Sequence, residues 1–320
     1  MNKDLIVITG ALGFIGYNVA SFFNEAGKSR LILVDREVRQ GRLTSLQYEQ
    51  YMDAEELLSA PAEFFLRVKA VVHLGASVNT GDTNKEAVFK NNFEYSKKLF
   101  DLCTKYNSNF IYASSAATYG DGSKGFDDAR RDLEPRNYYA ESKHAFDEFV
   151  RDREAGPPQV VGLKFFNVYG PFESHKGRMA STILFSYQQA KQDGVIKLFR
   201  SHNPSYKDGE QKRDFIYVGD TAKVINFFLE HPELSGIYNL GTGHARTFID
   251  LAQAVFLALG KKPKIEFIET PEQFKKQYQY FTEADMSRFH KAGYMTPMKT
   301  LEEGIKEYVV EYLEKGVLLD

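Results

Sequence analysis

The stretch "LIVITGALGFIG", Leu5 to Gly16, constrains this chain more than any other. Its first residues are apolar or β-branched without alternation, as in a strand buried on both faces of a parallel sheet. Gly10, Gly13 and Gly16 follow at even spacing, and an apolar-periodic run then continues to about Ala26, with Gly27 near its end. A buried strand, a glycine turn and a helix in that order make a βα unit. The glycines permit a tight turn and close backbone approach, and the helix N-terminus can face a pyrophosphate. A bare glycine pattern is weak; its place between strand and helix is what makes it a dinucleotide motif.

The same texture recurs. "LILV" (31–34), "AVVHL" (70–74), "NFIYAS" (109–114) and "VVGLKFF" (160–166) read as buried strands, with helices over about 85–106 and 137–151. Alternating strands and helices predict an α/β fold, a Rossmann-type doubly wound parallel sheet. The stretch between Val34 and Ala70 has no clear period. After Pro171 the chain becomes richer in polar and turn residues, with helices expected over about 179–193, 248–259 and 301–313 and a strand in "KIEFIE". The reading is a cofactor-binding domain over 1–168, rejoined by chain from about 214–246, and a smaller C-terminal α/β substrate lobe over 169–320.

Net charge is −2 with no basic stripe, which argues against nucleic acid as a partner. Cys103 is the single cysteine, so no internal disulfide can form and no metal site is expected. The apolar run at the start is too short for a signal peptide or a membrane span, so a cytoplasmic protein without a membrane partner is expected.

Asp35 ends the second strand where an acid can accept adenosine ribose hydroxyls. Arg36, Arg39 and Arg42 lie close by, and a guanidinium can pair with a 2′-phosphate, which tilts the cofactor to NADP with NAD left open. In "YYAESK", Tyr139 and Lys143 stand one helical turn apart on one face. A phenol titrates near 10 and is a poor base at neutral pH unless a neighbouring ammonium favours the phenolate. Ser115, in "SSAATYG" at a strand end, could hold the hydroxyl that Tyr139 deprotonates. His73 and His144 read as structural residues, and the paired phenylalanines as core.

With the glycine turn, Ser115, Tyr139 and Lys143 in view, the chain resembles the extended short-chain dehydrogenase/reductases. In order, "YASSAATYG", "FNVYGP" followed by "HKGRMAS", "KRDFIYVGD", "YNLGTG" and "QYQYFTEADM" resemble the ADP-L-glycero-D-manno-heptose 6-epimerase family. Ala116 and Ala117 stand where the superfamily's dehydratases carry an Asp-Glu pair.

The resemblance implies epimerisation at C6 of ADP-D-glycero-β-D-manno-heptose through a transient ketone, with tightly held NADP. The product feeds the lipopolysaccharide inner core. A homo-oligomer is implied, a pentamer as in the family. The hydride axis is fixed, so the two epimers present their hydroxyl oxygens in different places. One acid/base group can hardly reach both. The family's two groups match Tyr139 and Lys176. Lys176 must then be neutral to act as a base, with burial, Lys143 and a cationic nicotinamide pushing it that way; read alone, it would be a phosphate or hydroxyl ligand.

Other positions carry over residue by residue. Phe14 and Ile15 match backbone contacts to the cofactor, and Asp35 with Arg36 matches an Asp-Asn pair. Leu74, Gly75, Ala76, Ser77 and Val78 match the nicotinamide side, Leu74 replacing an acid. Asn91 and Val168 match cofactor positions, whereas Ala54 replaces a family lysine. Asn167, His175, Phe199, Arg200, Ser201, His202, Arg213 and Tyr278 match substrate positions, with Arg213 a diphosphate clamp. Another sugar-nucleotide epimerase or reductase of the superfamily, or a silent NADP-binding sensor, are the alternatives; silent members typically lose the Tyr-Lys pair, which this chain keeps.

Overall fold

The computed structural model describes residues 3–272, 279–317 and 319. β1 (Leu5–Thr9) leads into α1 (Phe14–Glu25), followed by β2 (Leu31–Val34), α2 (Gln40–Ser45) and β3 (Gln50–Met52). Then come α3 (Ala54–Ser59), α4 (Ala62–Phe65) and β4 (Val68–His73). These fill the stretch whose sequence shows no period. α5 (Lys85–Phe89) and α6 (Tyr95–Lys105) are joined by a π-helical turn, Lys90–Glu94. β5 (Asn109–Ser115), α7 (Tyr138–Arg151) and β6 (Val160–Phe165) complete this part.

The strands form a seven-stranded sheet in the order β10-β6-β5-β4-β1-β2-β3, with β10 at Gly236–Leu240. Every pairing is parallel. From β1 the chain goes to β2 on one side, and β4 is its neighbour on the other, so the glycine turn ends at the topological switch point where such sheets open a crevice. One face of the sheet packs Ile6, Ile8 and Leu33 against Val19 and Phe23 of α1 and Phe228 of α9 (Val218–Glu230). The other packs Val7, Val34, Phe110 and Tyr112 against Leu99, Phe100 and Phe146. Burial of each such side chain is worth about 1.5–3 kcal/mol, so continuous apolar strands and single-faced helices make this layering the favourable solution.

Two smaller sheets stand at the carboxyl ends of these strands. One has the order β11-β9-β7 (β7 Asn167–Tyr169, β9 Lys212–Tyr217, β11 Ala245–Thr247). The other pairs β8 (Ile196–Phe199) with β12 (Ile265–Ile268). α8 (Thr182–Gln192), α10 (Phe248–Ala258) and the helix Leu301–Glu307, which runs into a π turn at Tyr308–Leu313, share a third apolar cluster with them.

The structure refines several expectations. The helix expected from about 179 starts at Thr182, capped by the Ser181 hydroxyl, and a 3₁₀ turn, Ser174–Met179, precedes it. Of the returning segment, α9 and β10 join the large sheet, whereas β9 and β11 pair with β7. The helix expected over 85–106 carries the π turn, which aims Asn92 inward. Its amide accepts from Ser77 N at 2.7 Å and donates to Ser77 O at 2.9 Å and Ser142 Oγ at 3.1 Å. A single π turn of this kind inside an α-helix is often found at functional sites. No described helix is long and apolar enough to cross a membrane.

Candidate active site

A cavity of about 1260 Å³ runs from the glycine turn to the small sheets. At its floor Gly10 has φ +67°, and a Cβ there would sit 2.7 Å from Gly75 N; at Gly16 a Cβ would meet Gly10 O at 2.0 Å. Neither position tolerates a side chain. The N-cap of α1, Gly13, provides no side-chain hydrogen bond, so the first N–H groups of the helix are left for a ligand. This cradle fits a dinucleotide diphosphate.

Gly10, Gly13, Phe14, Ile15, Gly16, Asp35, Arg36, Leu74, Gly75, Ala76, Ser77, Val78, Asn91 and Val168 all line the cavity. Asp35 accepts from Leu12 N at 2.9 Å and from Arg36 N at 2.8 Å, which ties the end of β2 to the glycine turn. The Arg36 guanidinium donates to Asn91 Oδ1 at 2.6 Å and lies 5.7 Å from the Tyr95 ring centre. Arg39 also lines the cavity, held by Glu37 at 2.6 Å.

Arg42 corrects the expectation made for it. It is wholly buried and is not on the cavity wall. Its guanidinium donates to Leu12 O at 2.9 Å, Phe172 O at 2.8 Å and Leu319 O at 2.8 Å, and lies 2.9 Å from His175 Nδ1. A guanidinium so engaged cannot also reach a 2′-phosphate; the arginines left beside Asp35 are Arg36 and Arg39.

Ser115 ends β5, and its hydroxyl accepts from Ala117 N at 3.1 Å, capping the turn Ala116–Tyr119. Tyr139, presented by α7, stands beside that hydroxyl, and both residues line the cavity. α7 starts at Tyr138 because Asn137 caps it, accepting from Ala140 N at 2.9 Å. Burial pushes the Tyr139 phenol up, and the nearby Ser115 hydroxyl pulls it down by less; Lys143, expected to lower it together with an oxidised nicotinamide, is not among the causes.

Lys143 lies behind the wall rather than on it. Its ammonium donates to Ala113 O at 2.8 Å, and burial draws it down to about 8 against the pull of Asp147. Asp147 in turn belongs to a fully buried set. It meets Lys164 Nζ at 2.6 Å, Tyr112 Oη at 2.9 Å and Ser114 Oγ at 2.7 Å, while Lys164 also reaches Thr118 at 2.7 Å. Nothing in the local sequence announces this set, because its members come from β5, its following turn, α7 and β6. His73 is structural, as expected: its ring meets Thr9 Oγ1 at 2.6 Å and Ser96 Oγ at 2.8 Å, and burial draws it down to about 3.

Lys176 enters from the other side, on the 3₁₀ turn Ser174–Met179, with its ammonium 4.8 Å from the Phe14 ring centre. Burial lowers it, as the sequence suggested, but the neighbouring charge is the Glu173 carboxylate, which raises it; Lys143 is not among the causes. Glu173 escaped the sequence reading. It is fully buried and accepts from Ser181 N and Ser181 Oγ, each at 2.6 Å, and from Gly170 N at 3.4 Å. Its signal was a carboxylate inside the turn "GPFES", which nothing local requires.

Of the substrate positions, Asn167, His175, Phe199 and Arg213 line the cavity. Asn167 Nδ2 donates to Asp214 O at 3.0 Å, which orients the amide. Arg213 donates to Lys212 O at 2.9 Å and to Gln279 O, with its guanidinium 5.7 Å from the Phe248 ring centre. Arg200, Ser201 and His202 do not line the cavity. They form a loop tied to itself: Arg200 pairs with Asp208 at 2.8 Å, Ser201 N donates to Asp208 at 2.8 Å, and His202 N donates to Tyr280 Oη at 2.8 Å. Only Phe199 of "FRSH" reaches the cavity, because the strand β8 ends there. Tyr278 lies outside the described residues.

Residues 6–241 match the model of the NAD dependent epimerase/dehydratase family. The chain is 41% identical to the ADP-L-glycero-D-manno-heptose-6-epimerase of Fusobacterium nucleatum subsp. nucleatum, over 97% of this chain and 98% of that protein. It is 43% identical to the enzyme of the same name from Nitratidesulfovibrio vulgaris, over 97% and 98%. Among solved structures, the Helicobacter pylori ADP-L-glycero-D-manno-heptose-6-epimerase superposes with a TM-score of 0.82 at 28% identity, covering 97% of this chain and 96% of that one.

Proposed function

We infer, from the premise that this chain belongs to the NAD dependent epimerase/dehydratase family and within it to the ADP-L-glycero-D-manno-heptose-6-epimerases, that it inverts C6 of the heptose in ADP-D-glycero-β-D-manno-heptose. The cofactor is a nicotinamide dinucleotide, and we take it to be NADP. Arg36 and Arg39 beside Asp35 supply the cations a 2′-phosphate needs. The glycine turn and the open N-terminus of α1 hold the diphosphate, and the Leu74–Val78 strip faces the nicotinamide. When bound, the cofactor supplies reversible hydride acceptance at C6.

The chain's own groups handle the protons. Ser115, beside the Tyr139 phenol, holds the C6 hydroxyl next to it. Lys143 fixes this corner and, through its positive charge, favours the phenolate once the site is filled. Tyr139 takes the proton from one epimer as the carbonyl forms. Rotation about the exocyclic bond presents the other face. Lys176, lowered by burial, then gives up a proton of its own ammonium to the oxygen in its second position and takes one up in the reverse direction. Ala116 and Ala117, beside Ser115, offer no acid or base for a dehydration. The observation that carries the reading is that Tyr139, from α7, and Lys176, from the 3₁₀ turn, line one cavity with the glycine turn.

The test is direct. Purified protein is incubated with ADP-D-glycero-β-D-manno-heptose, with and without added NADP, and the sugar is followed by proton NMR. The L-glycero epimer should accumulate without net NADPH production. Its absence in both arms would refute the assignment.

A further inference from the structure

The buried guanidinium of Arg42 joins segments that the reaction needs in register. A buried guanidinium is strongly disfavoured unless its donors are engaged. Here they engage Leu12 O, inside the glycine turn, and Phe172 O, just before the 3₁₀ turn that carries Lys176. They also engage Leu319 O near the end of the chain. The guanidinium lies 5.5 Å from the Tyr17 ring centre, and Tyr17 packs edge-on against Phe172 at 4.8 Å. Phe172 itself has φ +68°, a left-handed conformation that a bulky L-residue adopts only when its surroundings hold it there. The Arg42 bond to its carbonyl and the Tyr17 ring are two such restraints.

The contact with His175 carries chemical information. A guanidinium has donors and no acceptor. At 2.9 Å from Arg42, Nδ1 of His175 must therefore accept, and the ring's proton resides on Nε2. His175 lines the cavity, so this tautomer fixes which ring nitrogen can donate to a substrate oxygen.

We propose that Arg42 is a positioning residue of the reaction: it registers the turn bearing His175 and Lys176 against the glycine turn that binds the cofactor, and it sets the tautomer of His175. This rests on the reading that Lys176 is the second acid/base group. Displacing a catalytic group by about 1 Å can cost on the order of 100-fold in rate, so a tie of this kind acts on turnover even though Arg42 touches no substrate.

The experiment uses the purified holoprotein. Arg42→Lys keeps the charge but loses the planar fork. For it we expect kcat per cofactor-loaded molecule to fall about 10-fold or more, with KM changed much less. His175→Asn, whose Oδ1 can still accept from Arg42, should keep more activity than His175→Ala. The double variant Arg42→Lys/His175→Ala should lose less than the product of the two single losses. A kcat per loaded molecule within about twofold of wild type, or losses that multiply in the double variant, would overturn the proposal.

If Arg42→Lys does not fold, the His175→Asn against His175→Ala comparison decides, and equal activities overturn it. Nitrogen-15 NMR of the histidine rings gives a readout free of turnover. Wild-type His175 should be the Nε2–H tautomer, and an Nδ1–H tautomer would refute the geometry. A wild-type protein that does not epimerise the sugar, yet shows that tautomer, would sink the function reading and leave the registering contact standing.

Discussion

At the scale of single residues, the proposed chemistry divides between two acid/base groups with different surroundings. Tyr139 has Ser115 beside its phenol and Lys143 behind it; Lys176 shares its corner with Glu173 and the Phe14 ring. Tyr139→Phe and Lys176→Met should each lower net epimerisation by about 100-fold or more, the usual range for losing a general acid/base group. Thermal midpoints should change far less, since each substitution removes only a local contact, that of Tyr139 with Ser115 or of Lys176 with the Phe14 ring. Retained activity in Lys176→Met, measured by NMR of the product, would dissolve the two-group account.

His73 offers a separate test of stability against pH. Its folded-state value is near 3 and its ordinary one is 6.5. Between these values the unfolded chain binds more protons than the folded one, so stability falls as pH drops from 6.5 toward 3. A His73→Gln variant should show a flatter melting temperature over that window by calorimetry, although its absolute stability will be lower.

At the scale of elements, local rules place most of the scaffold. Continuous apolar strands and single-faced helices follow directly from sequence, whereas the caps at Asn137, Ser181 and Thr247 set where their helices start. Three features did not follow from sequence. The π turn at Lys90–Glu94 exists because Asn92 finds partners on Ser77 and Ser142, which lie elsewhere in the chain. Arg42 sits in a run of arginines that reads as a partner for a cofactor 2′-phosphate, and only the fold turns it inward. The "FRSH" loop diverges because Asp208, a residue outside the motif, captures Arg200 and Ser201.

Two predictions belong to elements. Asn92→Ala leaves the Ser77 backbone groups without their partner, a loss of about 1–3 kcal/mol per unsatisfied group. It should lower the melting temperature and loosen the Leu74–Val78 strip, seen as cofactor lost on gel filtration. Gly16→Ala drives a Cβ to 2.0 Å from Gly10 O. Protein that still folds should carry no bound dinucleotide; ordinary cofactor content would contradict the cradle.

At the scale of the whole molecule, the two groups of sheets are woven from one chain rather than joined by a single linker. The chain leaves the large sheet after β6, builds β7, α8, β8 and β9, returns for α9 and β10, and leaves again. β10 pairs with β6 along Gly236–Leu240, and α9 shares a core with α1. A break after residue 168 would strand β10 from β6, its sheet neighbour among the described residues, so calorimetry should record one unfolding transition rather than two. The consequence concerns the route to the native state. Contacts between segments some 70 to 200 residues apart, such as Tyr238 with Leu163 and α9 with α1, cannot form until loop closure over that distance is overcome. Folding should therefore be slow for the stability reached. A polypeptide emerging from synthesis must also wait for its last third before its first sheet has an edge to close on.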